Sequence, residues 1–251
     1  MNAKVLSRIV ERQRRLHPRI FEDLNDRKIL ALLGVVRVVD GEAKPTLAGL
    51  LAAGTYPQQF FPRLLINCTA YPGMSKEEMT IGERSYRYLD TMSAVGSVPE
   101  MMREALEFVG RNMKTGAVIV EGMRYDAPEC PLVAVREAVA NALMHRDYSP
   151  EGRGSPVELN IYADRIEVVS PGGLYGAASV DGLLAADPPL PATRNVVLAH
   201  VLETTPFADG FVVENRSSGP QLPAQNDSQA RRHEKIFNIH PFSLAITQIF
   251  R

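Results

Sequence analysis

Three polar side chains recur four residues apart in one segment of the chain: Glu137, Asn141 and His145. In an α-helix, residues four apart lie on the same face, so we expect a carboxylate and an amide to project together. Carboxylates serve as general bases and amide oxygens bind hard cations, which makes this face a candidate for chemistry. The same spacing also fits an ordinary amphipathic helix with polar surface residues, and the pattern alone does not separate the two.

The apolar residues of this segment predict the helix that would position the polar ones. At about 100° per residue, one opposite face collects the apolar side chains Leu132, Val135, Val139, Ala142 and Leu143. The run His145-Arg146-Asp147 ends the helix, and Pro150 prevents its continuation. Two alternatives stay open for that run: its cationic side chains cap the helix C-terminus, or His145 or Arg146 contacts a phosphate.

A predicted hairpin follows the helix. Residues 157–162 alternate between apolar and polar, residues 165–169 form a second strand, and Ala163-Asp164 is the turn between them. Ser170-Pro171-Gly172-Gly173 ends the second strand. Adjacent glycines let a backbone approach a ligand, although they also make generic turns.

Several separated motifs occur in order along the chain. They are REAVANALMHRDYS, DRIEVVSPGGL, RNVVLAHVLE and VVENRSSG, preceded by PTLAGLLAAGTYPQQFFP and EGMRYDAPECPLVAVREAVANA. Together they resemble the C-terminal module of transcriptional regulators often named RecG-like ATP-dependent DNA helicases, from about residue 20 to 219. Such modules are similar to the GHKL ATPase fold of gyrase, Hsp90, histidine kinases and MutL, an α/β sandwich that binds ATP with Mg²⁺.

The resemblance implies roles for residues of the predicted helix. Glu137 matches the catalytic acid that orients or deprotonates the attacking water, and Asn141 matches the amide that ligates Mg²⁺. The further cofactor-binding residues that it implies are His145, Ser170, Gly172, Gly173, Arg194 and Gly219.

Two departures from the family pattern weaken the expected activity. Ser170 stands where an acid usually binds the adenine amino group, and a serine is the weaker acceptor. In the second glycine box Ser217 replaces a glycine, and Pro220 removes a donor N–H. We therefore expect little or no ATP hydrolysis even if ATP binds. Asp181–Pro191 is the expected lid over the phosphates, and Arg194-Asn195 opens a helix either as a cap or near that lid.

Composition and missing motifs exclude several classes of protein. The 251 residues contain 28 Lys and Arg and 29 Asp and Glu, and the net charge of −1 argues against a generally polybasic binder. There is no P-loop, which disfavours a helicase motor, and no zinc-ligand spacing. Cys68 and Cys130 predict two reduced thiols in a cytoplasmic protein, and no apolar run is long enough to span a membrane.

The order of predicted elements indicates an α+β fold in two parts. Residues 1–96 are expected to form a smaller α/β region and residues 97–251 a GHKL-like α/β sandwich. In the first part, Val5, Ile9 and Leu16 predict one buried stripe on an N-terminal helix with arginines between them. That helix is either solvated or a nucleic-acid contact. Residues 71–97 are expected to be linker or surface loop.

These observations predict a regulatory module of a transcriptional regulator with a GHKL-type ATP and Mg²⁺ site. The alternative is a degenerate scaffold that mediates dimerisation or protein interaction and binds no nucleotide. DNA is expected to be reached through domains missing from this chain, which is either a fragment or an isolated core. A homodimer is a further partner interaction under consideration, and no membrane partner is expected.

Overall fold

The structure is a computed structural model. It describes residues 1–113, 130–173, 175–176 and 193–213, and the backbone of four strands at 115–120, 123–128, 234–240 and 243–249. The helices are α1 (Ala3–Leu16), α2 (Pro18–Phe21), α3 (Asp26–Leu32), α4 (Leu47–Ala53), α5 (Val98–Asn112), α6 (Leu132–Met144) and α7 (Val196–Leu202). Among the described residues, no helix combines the length and the apolar character needed to cross a bilayer.

The strands that the structure describes form one large sheet and four small hairpins. The hairpins pair β1 (Val36–Val39) with β2 (Glu42–Pro45), β4 (Met79–Ile81) with β5 (Arg84–Tyr86), β7 (Thr115–Val120) with β8 (Met123–Pro128), and β11 (Pro206–Phe207) with β12 (Gly210–Phe211). The sheet contains β3 (Ile66–Ala70), β6 (Asp90–Ala94), β9 (Val157–Ile161), β10 (Arg165–Pro171), β13 (Glu234–His240) and β14 (Ser243–Ile249).

The large sheet is mixed, which confirms the α+β class. Its order is β13-β14-β10-β9-β3-β6. The β3–β9 pair is parallel and every other neighbouring pair is antiparallel. Residues in register share a face, and the face that carries Cys68, Leu159 and Val168 is buried. The helices α5 and α6 supply the rest of this core through Met101, Val109, Val139 and Leu143.

The sheet joins strands from both sides of the boundary that the sequence predicts between residues 96 and 97. Strand β3 pairs directly with β9, so Ile66 lies opposite Val157 and Ala70 opposite Ile161. A cut at residue 96 would separate strands that share backbone hydrogen bonds and one core. The division into 1–96 and 97–251 stays a prediction.

The expectation of a loop over residues 71–97 is wrong. That stretch contains β4, β5 and the sheet strand β6. Strand β6 reads Asp-Thr-Met-Ser-Ala, and its alternating polar residues hid it from an apolar pattern. At the end of the described strand order, only one side of β6 pairs with a neighbour, and such a position tolerates polar side chains.

The predicted hairpin is confirmed, since β9 and β10 pair in the expected place. Helix α5 buries Met101, Met102, Ala105 and Val109 on one face. Asp40 and Gly41 make the turn between β1 and β2 with φ of 52° and 78°.

The N-terminal helix α1 packs with two of the three predicted stripe residues, since Ile9 is buried and Val5 is partly buried against the core. Val10 and Gln13 are also buried, whereas Leu16 is exposed where the helix ends. Arg14 bonds Asp26 and the Leu24 carbonyl oxygen, each at 2.8 Å. The guanidinium of Arg12 lies 3.8 Å from the centroid of the Phe211 ring. These two arginines are therefore engaged within the fold, which favours the packed alternative for this helix over a nucleic-acid contact.

Candidate functional site

Helix α6 presents the predicted polar face. Val135, Val139 and Leu143 are buried, whereas Glu137 is exposed and Asn141 and His145 are half-buried. Leu132, predicted on the apolar face, is exposed at the first turn of the helix. The Glu137, Asn141 and His145 side chains form no hydrogen bond or ion pair with another described residue, so they are available to a ligand.

The C-terminal turn of α6 ends against three neutral side chains. A helix leaves its last carbonyl groups without partners inside the helix. Here the Ser170 hydroxyl donates to the Ala142 carbonyl oxygen at 2.7 Å, and the Tyr148 hydroxyl donates to that of Leu143 at 2.7 Å. The Asn195 amide donates to that of Met144 at 2.8 Å. These bonds satisfy successive carbonyls and hold strand β10 and helix α7 against α6.

Asn195 does not act as the side-chain cap that its position suggests. It occupies the N-cap position of α7, but its side chain makes no bond to the first amides of that helix. The Nδ2 atom instead donates to both the Met144 and Arg146 carbonyl oxygens at 2.8 Å. This contact fixes where α7 begins relative to α6.

Arg146 does not cap α6 either, so that alternative is wrong for this residue. Its side chain is 1% exposed and turns toward the loop that precedes β9, where Nη2 donates to the Gly152 carbonyl oxygen at 3.1 Å and to that of Ser155. The half-buried Asp147 follows, and its amide donates to the Pro171 carbonyl oxygen at 2.8 Å.

Gly172 and Arg194 meet at the end of β10. Gly172 has φ of +101°, and an added Cβ would lie 2.0 Å from Nη1 of Arg194. Arg194 Nη2 donates to the Gly173 carbonyl oxygen at 2.8 Å, and its guanidinium lies 5.2 Å from the Tyr175 ring centroid. Nη1 is buried and has no hydrogen-bond partner among the described residues. A buried charged donor without an acceptor is costly, so this atom marks a place where an anionic ligand would be stabilised.

The positive charge of Arg194 affects two titratable groups at the end of α6. The pKa of His145 is lowered, first by burial and then by the charge of Arg194, which favours the neutral imidazole. The pKa of the Asp147 carboxyl is lowered, first by a hydrogen bond from the Ser149 amide and less by the charges of Arg194 and Arg146. The positive charge of Arg194 thus lowers the pKa values of both His145 and Asp147.

The structure brings most of the predicted site residues to one place. His145, Ser170, Gly172, Gly173 and Arg194 gather around the C-terminal end of α6, and Asn141 lies one turn earlier. Glu137 lies a further turn away, toward the N-terminus of the helix. Gly219, the second glycine box and the predicted lid at Asp181–Pro191 fall outside the described residues.

The contacts of Ser170 bear on base recognition. Ser170 is buried and its hydroxyl hydrogen is used on the Ala142 carbonyl oxygen. This position therefore has no carboxylate to accept a hydrogen bond from an adenine amino group.

The residues in place fit a magnesium nucleotide in part. The unpartnered Nη1 of Arg194 fits a phosphate oxygen, and the unbonded amide of Asn141 fits one ligand position on Mg²⁺. Within the described part of the chain, no group of three or more His, Cys, Asp and Glu side chains could hold a metal ion. Mg²⁺ would therefore depend on Asn141 together with the phosphates.

Sequence reasoning missed the contribution of Tyr148 and assigned Asn195 and Arg146 the wrong local partners. Tyr148 bonds back to Leu143 in α6, Arg146 turns toward the loop before β9, and Asn195 bonds the end of α6 and not its own helix. The position of Asn195 beside Arg194 was the only signal in the sequence. In the sequence nothing distinguishes Arg146 from the other arginines, and no local pattern shows that it is buried.

A comparison with known protein families finds a match for the segment that contains Gly172 and Gly173. Residues 154–246 match the model of a family described as "Putative ATP-dependent DNA helicase recG C-terminal". The matched segment includes Ser170, Gly172, Gly173 and Arg194, whereas α6 precedes it. Among curated proteins, none matches significantly.

A solved structure shares the fold over nearly the whole chain. The crystal structure of the DIP2311 protein from Corynebacterium diphtheriae aligns with a TM-score of 0.58 at 20% identity. The alignment covers 99% of this chain and 44% of that one, so this chain spans less than half the length of that protein. The motif-based resemblance is thus confirmed at residues 154–246, which are similar to the GHKL-type ATPase domain at the C-terminus of RecG-like proteins.

Proposed function

We propose that this chain is a regulatory module that binds ATP with Mg²⁺ at the end of α6 and hydrolyses it weakly or not at all. The observation that carries the proposal is the buried Nη1 of Arg194 beside Gly172, for which the described part of the chain supplies no acceptor. A nucleotide phosphate would supply that acceptor. The family match over residues 154–246 supports a nucleotide in the same region.

Each proposed contact follows from the geometry of one element. Arg194 and the backbone at Gly172–Gly173 would hold phosphate, and Asn141 would complete the coordination of Mg²⁺, whose charge offsets that of the phosphates. Glu137 lies one helical turn from Asn141, where a carboxylate could orient a water molecule. Neutral His145 would accept or donate one hydrogen bond to the ligand.

The test is Mg-ATP titration of the 251-residue chain, followed by calorimetry and by the thermal midpoint. Binding at a concentration of 100 Kd should stabilise the fold by about 2.7 kcal/mol. Asn141→Ala should weaken binding by about 1.5–3 kcal/mol, and the protein should still fold because the Asn141 side chain bonds no other described residue. Gln59→Ala is the matched control, since Gln59 is an exposed amide remote from α6 in sequence. Equal affinity of the Asn141→Ala protein and the wild type would count against the site.

Hydrolysis is tested separately by phosphate release. We expect no turnover approaching 1 s⁻¹, because the second glycine box lacks the residues that wrap a triphosphate. Glu137→Gln should leave ATP affinity nearly unchanged. Turnover at that rate, abolished by Glu137→Gln, would instead identify an ATPase.

The second candidate is a scaffold that mediates dimerisation or protein interaction without nucleotide. It is favoured by the Ser170 hydroxyl, which is bonded to α6 and leaves the base without its usual acidic partner. A thermal midpoint that stays flat at millimolar Mg-ATP would support the scaffold. A role in transcription, a cytoplasmic location and DNA contacts through further domains remain parts of the proposal that this titration does not address.

A further inference from the structure

Arg146 is a buried cation with little to balance it. Its guanidinium makes hydrogen bonds to two carbonyl oxygens through Nη2, while Nε is buried and bonds no residue that the structure describes. None of the described carboxylates forms an ion pair with it. Elsewhere the fold provides such partners, since the partly buried Arg165 bonds Asp164 at 2.8 Å and Glu167 at 2.7 Å. An isolated charge in a protein interior is strongly unfavourable unless something offsets it.

Two further arginines lie beside Arg146. Arg153 Nε donates to the Tyr148 carbonyl oxygen at 2.9 Å, and Arg146 lies 5.7 Å from the centroid of the Tyr148 ring. The Arg153 guanidinium also lies 5.1 Å from the Phe61 ring centroid, and Arg63 follows Phe61 by two residues. We call Arg63, Arg146 and Arg153 the arginine cluster. Burial lowers the pKa of the Arg146 guanidinium, interactions with Tyr148 and Asp147 raise it in part, and the nearby charge of Arg63 lowers it further.

The neighbouring carboxylates offset the charge of the arginine cluster only in part, through the interaction of Asp147 with Arg146. Asp147 accepts from the Ser149 amide at 2.9 Å, and its carboxyl carbon packs beside Gly152. Glu151 is exposed. Neither carboxylate forms an ion pair with Arg63, Arg146 or Arg153 in the described structure. Three arginines against the two neighbouring carboxylates, Asp147 and Glu151, leave a small local excess of positive charge.

Two aromatic side chains that precede Arg63 in the sequence are exposed. Tyr56 is 55% exposed and Phe60 is 61% exposed. They flank the short 3₁₀ turn Pro57–Gln59, in which the Phe60 amide donates to the Pro57 carbonyl oxygen at 3.0 Å. Exposed aromatic rings beside arginines are the combination on which single-stranded nucleic acids bind, with bases stacked and phosphates paired.

We propose that the arginine cluster binds a phosphate group, at a site that shares no residue with the proposed nucleotide site. The guanidinium group of arginine can donate two parallel hydrogen bonds to two oxygens of a phosphate. A bound phosphate would also compensate the charge that Arg146 carries. The phosphate can come from the backbone of a single-stranded nucleic acid, which Tyr56 and Phe60 would assist, or from free inorganic phosphate. The site does not depend on ATP binding by α6.

The experiment uses the full chain and two probes. A fluorescein-labelled oligothymidylate is titrated by anisotropy, and inorganic phosphate is titrated by calorimetry. The variants are Arg63→Gln, Arg153→Gln and the two combined, because replacing the buried Arg146 could prevent folding. The matched control is Arg87→Gln, which removes one positive charge from an exposed residue elsewhere in the chain. Mg-ATP affinity is measured in parallel.

If the proposal is right, the double variant loses about tenfold or more in affinity for the probe that binds, whereas Arg87→Gln changes it less than about twofold. Loss of oligothymidylate binding identifies nucleic acid as the source, with an affinity that falls as salt is raised. Loss confined to inorganic phosphate identifies the free anion. The proposal is overturned if the wild type binds neither probe, or if the double variant binds as tightly as the wild type. Failure of Mg-ATP to bind would refute the nucleotide site alone.

Discussion

Substitution of Asn195 distinguishes a helix cap from a contact between two helices. If Asn195 simply capped α7, Asn195→Asp would be close to neutral, because aspartate and asparagine cap helices equally well. In the structure its Nδ2 atom donates to two carbonyl oxygens at the end of α6, both at 2.8 Å. A carboxylate at that position has no hydrogen to donate and faces two acceptors. We therefore expect aspartate to be the more damaging replacement.

The magnitudes follow from the two hydrogen bonds. At about 0.5–1.5 kcal/mol each, their loss in Asn195→Ala should lower the free energy of unfolding by about 1–3 kcal/mol. Asn195→Asp should lower it further, by about 2–4 kcal/mol in total at neutral pH, because the charge at this half-buried position lacks a donor. Urea unfolding with an unchanged slope measures both values, and Gln59→Ala is the control for loss of an exposed amide.

The pH dependence of Asn195→Asp provides a second measurement. The two carbonyl oxygens should raise the folded-state pKa of the introduced carboxyl above its unfolded value. The destabilisation is then present above the folded-state pKa and shrinks as the pH falls through it, since the protonated acid can donate one hydrogen bond. An Asn195→Asp protein as stable as wild type at pH 7, with Asn195→Ala about 1 kcal/mol less stable, would refute the contact with α6 and restore the cap.

Two further predictions concern stability and thiol reactivity. Gly172→Ala should displace Arg194 and lower the free energy of unfolding by about 1–3 kcal/mol, because an added Cβ meets Nη1 and φ is +101°. Gly110→Ala in α5 should be neutral or stabilising, since nothing lies within 4 Å of the added Cβ, and equal urea midpoints for the two variants would contradict this reasoning. Burial raises the pKa of Cys68 to about 12 and that of Cys130 to about 11. Neither thiol should react with a disulfide reagent at pH 8 until the protein unfolds, and rapid modification of the native protein would show that one of them is accessible.

Local patterns predicted the elements of the site better than the contacts between them. The periodicity around Val135 and Val139 correctly predicts which face of α6 is buried, because burial follows the 3.6-residue repeat. Strand β6 escaped prediction because a terminal strand can alternate polar residues and still pair. The partners of Asn195 and the burial of Arg146 depend on which elements meet in space. In a sequence, an asparagine at the start of a helix has the same appearance whether its side-chain amide bonds its own helix or a different one.

The parallel pairing of β3 with β9 has a consequence for how the chain is made. Ile66 and Val157 become neighbours only after the intervening segment, with α5 and α6, has been synthesised. At about 5–20 residues per second, β3 and β6 would wait on the order of ten seconds for β9 to leave the ribosome. A two-stranded piece is marginally stable alone, and its open edge is a template for pairing with another nascent chain. Pairing between strands far apart in sequence also slows folding. The chain is therefore most prone to aggregate while β3 waits for β9, before the candidate site has formed.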